Sequence, residues 1–278
     1  MSTTNPDLRG TFVDLPSGRR MYLNAQDPRA QRIIRGLGFA HRSLSLWQAA
    51  LDLTNWDLVV DVGANYGEML LSANLPPSSK ILAYEADPVT ACYLETSLAE
   101  SALGASCHAI GLADQVGHME FVRDVDWSGR SGLQRYVTAE KDHRLQNVRV
   151  PVSTLDAALG VDDKQTQVLL KIDVEGAEEA VLEGGRKYMR NDRIWVAMIE
   201  VIHMPPAVLR RLAQRHRLYI PVPASKKFLH LRPGATRGLL LLGKLPMVRL
   251  QDVLVFSTAA ERALLVNGRV SAHAREDR

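Results

Sequence analysis

From Leu58 onward, short apolar runs of strand length alternate with helical stretches, a pattern that predicts a mostly parallel sheet with helices on both faces. The strands read as residues 58–62, 81–85, 106–110, 168–173 and 196–201, with helices over 89–103 and 205–216. Residues 252–256 supply an antiparallel closing strand, paired with 228–231. Ahead of this alternation, residues 30–37 and 44–53 space their apolar side chains three and four apart, as two amphipathic helices placed to cap a pocket. Before those, Asp, Asn, Gly and Pro recur through residues 1–28, which read as an arm or loosely attached hairpin. Two stretches break the rhythm, 125–147 and the basic, Gly- and Pro-bearing 232–250. Long loops in compact α/β domains often carry function. The expected division is an arm with cap helices over 1–54 and a Rossmann-like domain over 55–278, with an insertion at about 232–250.

Composition bounds this picture without redirecting it. A chain of 278 residues, 46% hydrophobic, is long enough for one substantial core. Its 34 basic and 31 acidic residues leave a charge of +3, too mild an excess to imply a nucleic-acid partner. Cys92 and Cys107 lack metal-type spacing and read as buried thiols. The first 18 residues have no apolar core of the secretory kind. No segment approaches the ~18 apolar residues of a membrane span. The expectation is a cytoplasmic protein acting on a small-molecule or glycan acceptor, with its oligomeric state open.

Candidate chemistry begins where the first strand ends. Val59-Val60-Asp61-Val62-Gly63-Ala64-Asn65-Tyr66-Gly67 is a buried strand running into a glycine-bearing turn and a helix from about Glu68. Gly63 lets a ligand approach the backbone, Gly67 allows close helix packing, and the helix start offers N–H groups. The dinucleotide fingerprint would need glycine where Asn65 stands, and Asp61 would repel a pyrophosphate. The same carboxylate suits the ammonium of S-adenosylmethionine. Glu85, about twenty residues on at the second strand's end, is placed to accept from ribose hydroxyls, with a helix cap or solvated carboxylate as the plain alternative. Asp87 reads as the cap of the following helix, whose first residue is Pro88. Asp114, after the third strand, is either an adenine contact or a turn former.

These motifs, with Ser153-Thr154-Leu155-Asp156 and Leu170-Lys171-Ile172-Asp173-Val174-Glu175-Gly176-Ala177-Glu178, resemble the FkbM family of methyltransferases over roughly residues 55–201. The resemblance implies a Rossmann-like class I methyltransferase fold, S-adenosylmethionine as cofactor and, most often, O-methylation of a hydroxyl. It places Asp61, Gly63, Asn65 and Glu85 on cofactor-binding positions, joined in our reading by Ala64, Gly67 and Asp114. It sets the 173–178 motif beside the reacting centre. Ala86 departs from the family's usual Pro, and the 232–250 insertion has no evident counterpart.

Methyl transfer to a hydroxyl needs donor and acceptor held in contact and a route for the proton. Lys171, Asp173 and Glu175 alternate at strand spacing and fall on one side of the fourth strand's end. They are candidate catalytic residues, although Lys171 pairing with a neighbour, and Glu175 and Glu178 facing a helix start, would explain them structurally. His203, after the fifth strand, is the imidazole best suited to act as base, since histidine ordinarily titrates near pH ~6.5; a plain loop residue is its alternative. Asp173, Glu175 and Glu200 form a hard-oxygen set that suits magnesium. The basic 226–249 segment suits an anionic acceptor or is simply solvated. The leading expectation is an O-methyltransferase of a sugar, glycan or secondary metabolite. A cofactor-binding module without catalysis and a nucleotide-dependent oxidoreductase are the alternatives. Amine methylation of nucleic acid is disfavoured because the fourth strand ends in Asp-Val-Glu-Gly.

Overall fold

The structure, a computed structural model, describes residues 11–37, 41–133, 144–160, 166–221, 228–231, 233 and 251–266. Among them, one sheet runs β13-β12-β14-β11-β10-β3-β4-β5. Its parallel centre comprises β3 (Leu58–Val62), β4 (Lys80–Tyr84), β5 (Ser106–His108), β10 (Val168–Ile172) and β11 (Trp195–Glu200). β14 (Asp252–Phe256) runs antiparallel to β11, as the alternation predicts for a closing strand.

Successive residues of a strand face opposite sides, so a strand buried on both must be apolar throughout. β3 obeys this except at Asp61: Val59 enters one core with α1 (Pro28–Ile34), α2 (His41–Leu51), α3 (Glu68–Ser72), α4 (Pro88–Glu100) and α8 (Thr258–Val266). Val60 enters the other, with α5 (Leu155–Leu159), α6 (Glu178–Gly184) and α7 (Pro206–Arg215). Trp47 and Trp56 are fully enclosed in the first core.

Three expectations are corrected. The closing strand pairs not with β13 (Phe228–Leu231) but with β12 (Arg217–Pro221), and β13 pairs with β12 on the outside. β12 begins directly where α7 ends, leaving no turn signal between them. The N-terminal hairpin of β1 (Phe12–Asp14) and β2 (Arg20–Tyr22) is not loosely attached. Arg19 donates to the carbonyls of Leu71 (3.0 Å) and Ala73 (2.8 Å), satisfying the C-terminal end of α3, and Met21 is fully buried. The third concerns the stretch between β5 and β10, which holds a second sheet in the order β6-β9-β7-β8. Its strands are β6 (Gly111–Ala113), β7 (Gly117–Asp124), β8 (Gly132–Leu133) and β9 (Leu145–Thr154). The third main-sheet strand therefore stops at His108. Most of the 232–250 segment lies outside the described residues.

Arg123 of β7 fastens this small sheet to the main one. Its Nε lies 3.0 Å from both carboxylate oxygens of Asp87, the N-cap of α4, whose Oδ1 also accepts from the Val89 N–H. No helix among the described residues is long and apolar enough to cross a membrane.

Candidate cofactor and acceptor site

The turns after β3, β4 and β10 and the last residue of β11, Glu200, open onto one cavity of about 250 Å³, to which α1 adds Arg29 and α2 adds Ser43. Gly63 takes φ +78°, and a Cβ there would lie 1.8 Å from the Asp173 carbonyl oxygen, so any side chain would collide with backbone. Gly67, at φ +86°, packs against Leu94 and is not a cavity residue. The N–H groups of Gly63 and Ala64 both donate to the Tyr84 carbonyl, at 2.9 and 3.0 Å, tying the turn to β4. Asn65 has φ +48°, a region that asparagine tolerates better than most residues. Its Oδ1 accepts from the Tyr66 N–H and from Arg29 Nη1.

Glu85 accepts from the Asn65 N–H and the Asp87 N–H, each at 2.8 Å, one on each carboxylate oxygen. Both oxygens keep a second lone pair for hydroxyl donors in the cavity they line. Burial pushes the Glu85 carboxyl up to about 7 against the pull of those two N–H groups. Asp61 is fully buried, lies outside the cavity lining and stands behind Lys171, its register partner on β10. Lys171 Nζ lies 3.2 Å from Asp61 Oδ1, 3.3 Å from Asp173 Oδ2 and 3.3 Å from the Gly63 carbonyl. Burial alone would lower this ammonium, but Asp173 and Asp61 hold it above its ordinary range. Asp61 Oδ2 has no hydrogen-bond partner among the described residues. Asp114 is exposed and does not line the cavity; Gly111, Leu112, Phe121 and Leu133 form the wall there.

The acidic candidates gather at the ends of β10 and β11. Ligand atoms of Glu175, Glu200 and His203 all lie within 4.8 Å of one another. Asp173 stays outside that group, engaged with Lys171. Glu175, in a turn at φ +54°, places Oε2 3.7 Å from His203 Nε2. Burial, then Asp173 and Glu178, drives the Glu175 carboxyl to about 8; burial and the surrounding carboxylates drive Glu200 to about 10. Glu200 Oε2 is enclosed without a partner among the described residues. Glu178 turns back to accept the Val174 and Gly176 N–H groups, each at 3.1 Å, and so shapes the turn.

Sequence reasoning missed Arg29, Ser43 and Asp252. Asp252 is the register partner of Glu200 and accepts from the Ser43 hydroxyl at 2.5 Å. Its place at the start of the closing strand was the available signal, whereas Arg29 and Ser43 lie in helices whose pattern speaks only of packing.

A parallel sheet in this order, with a glycine turn after its first strand, a carboxylate closing its second and an acidic cluster after its fourth and fifth, defines a Rossmann-like α/β domain of the class I methyltransferase kind. Residues 61–226 match the methyltransferase FkbM domain, and the chain belongs to the FkbM family of S-adenosylmethionine-dependent methyltransferases. Among solved structures it resembles the methyltransferase FkbM from Methylobacillus flagellatus at 16% identity and a TM-score of 0.44, covering 84% of this chain and 55% of that one. A precorrin-6y C5,15-methyltransferase from Geobacter metallireducens follows at 11% identity and a TM-score of 0.38, over 77% of this chain and 87% of that one. A SAM-dependent O-methyltransferase from Thermotoga maritima shows 14% identity and a TM-score of 0.38, over 89% and 76%. No curated protein sequence matches the chain.

Proposed function

We propose that this chain transfers a methyl group from S-adenosylmethionine to a hydroxyl of a sugar, glycan or secondary metabolite. The observation that carries the reading is the gathering of Glu175, Glu200 and His203 at the ends of β10 and β11, where Glu175 and Glu200 line the cavity that Gly63, Asn65 and Glu85 also line. Held along the Gly63 turn, S-adenosylmethionine would supply an electrophilic methyl group, the carbon–sulfur bonding pair leaving with the sulfur and the acceptor oxygen supplying the pair of the new bond. Glu85 has acceptor capacity for ribose hydroxyls, and the small residues Gly63 and Ala64 leave room for the ligand along the turn. Lys171 offsets Asp61 and Asp173 at the floor, so the cavity keeps a fixed internal charge pair rather than two bare carboxylates. His203 does not itself line the cavity, but its Nε2 lies 3.7 Å from the cavity-lining Glu175, and it is exposed enough to take a proton from an acceptor hydroxyl held beside Glu175 and pass it to water.

A divalent cation held by Glu175, Glu200 and His203 is the second reading, favoured by the unpartnered Glu200 Oε2. Carboxylates and imidazole can ligate such an ion, which would acidify the acceptor hydroxyl directly. The test is a panel of hydroxylated acceptors with methyl-labelled S-adenosylmethionine, with and without EDTA. A methyl ether formed in EDTA and lost on His203→Ala, by about 100-fold or more in kcat with cofactor affinity kept, supports the base. Activity lost in EDTA and restored by magnesium or manganese supports the cation. Methyl transfer to amines or RNA, with none to hydroxyls, overturns the proposal.

A further inference from the structure

Arg29 and Lys171 are the cations among the described residues that line the cavity. Lys171 is spent: its ammonium has three N–H donors, and Asp61, Asp173 and the Gly63 carbonyl take them. Arg29 is differently placed. It enters from α1, N-terminal to the matched family domain, with Nη1 donating to Asn65 Oδ1 at 2.9 Å and Nη2 to Glu68. The rest of its fork has no hydrogen-bond partner among the described residues. Its side chain is only 16% exposed, and although burial disfavours the cation, Glu68 keeps it charged. The room it occupies depends on Gly129: a Cβ there would lie 2.9 Å from Arg29 Nε and 3.0 Å from Cδ.

The cofactor's amino-acid tail carries one ammonium and one carboxylate. Glu85, Asp173, Glu175, Glu200 and Asp252 line the cavity and offer oxygen acceptors to the ammonium, whereas for the carboxylate the lining cation with donors to spare, among the described residues, is Arg29. We infer that Arg29 anchors the tail carboxylate, its planar fork matching that group, and so makes the site prefer ligands that carry the full amino-acid tail. The inference rests on the reading of the cavity as an S-adenosylmethionine site. It assigns α1 a part in ligand recognition beyond covering the sheet.

The experiment compares calorimetric affinities for S-adenosylhomocysteine and 5′-methylthioadenosine, which share the nucleoside but differ in the tail. Arg29→Met is expected to weaken S-adenosylhomocysteine on the order of 10–100-fold and to leave 5′-methylthioadenosine within about twofold, with Arg29→Lys in between. Gly129→Ala keeps the charge but crowds Arg29 at Nε and Cδ. It is expected to give the same selective loss, and it carries the test if Arg29→Met does not fold. Equal weakening of both ligands, or no weakening of either, overturns the assignment of Arg29 and leaves the cofactor reading standing. A wild-type protein that binds neither ligand overturns the cofactor reading, and this assignment with it.

Discussion

Lys171 holds the centre of the site through charge rather than shape. Its contacts with Asp61 and Asp173 put three ionisable groups together, two of them buried, where desolvation is costly unless every member is paired. Lys171→Met would strand two carboxylates and is expected to cost about 3–5 kcal/mol in urea denaturation. Adding Asp61→Leu should recover part of that loss, because the pair is then replaced by apolar packing. If both variants melted like the parent, the network would have no structural role. Gly63 acts through shape instead. With the Asp173 carbonyl 1.8 Å from the Cβ it lacks, Gly63→Ala must displace backbone. S-Adenosylhomocysteine binding should fall below detection in calorimetry, whereas unchanged affinity would mean the turn does not touch the ligand. The glycine turn after β3 was legible in the sequence because its geometry is local: strand, glycine, asparagine and glycine fall within residues 59–67. The Asp61–Lys171 contact was not, since it joins groups 110 positions apart that only strand register makes neighbours. Arg29 was hidden for the same reason, as it acts on Asn65, 36 positions away.

At the scale of elements, the junction of Asp87 with Arg123 ties the small sheet to α4, beside the packing of α6 against β6. Asp87 caps α4 and receives the Arg123 guanidinium, so Asp87→Ala removes a cap and strands a largely buried cation. The expected cost is about 1–3 kcal/mol, with faster hydrogen exchange in β7 and β9 and unchanged protection in β3. Uniform loosening across both sheets would contradict that division. The central strands were readable because burial on both faces demands continuous apolar runs. The small sheet was not, although Val148-Arg149-Val150-Pro151-Val152 alternates at strand period. Pro151 masked that signal; it is exposed and pairs with His118 across the ladder. Of the two readings of Asp114, adenine contact or turn former, the first depends on the main sheet reaching Ile110. Instead β6 begins a new sheet at Gly111, and Asp114 follows it on the outside.

The whole molecule concentrates carboxyl groups that resist ionisation around one cavity. Burial first, then mutual repulsion, holds Asp252 at about 6, Glu85 at about 7, Glu175 at about 8 and Glu200 at about 10. Each is raised above its unfolded value, so the folded state keeps protons that the unfolded chain has released, and stability falls as pH rises through these values. His216 acts oppositely, lowered by burial to about 4, but its contribution is complete above pH ~6.5. Between pH ~6.5 and ~9 these carboxyls, joined near the top of the window by the raised thiol of Cys107, set the direction among the described residues, and the melting temperature in EDTA should fall by several degrees. A flat or rising profile would show that these groups ionise freely in the folded protein. On the proposed function the cavity takes a sulfonium nucleoside and not a dinucleotide, which calorimetric titration of the purified chain with S-adenosylhomocysteine and with NAD checks. Stoichiometric binding of S-adenosylhomocysteine, abolished by Glu85→Ala, with no heat from NAD is the expected result; binding of NAD alone would contradict it.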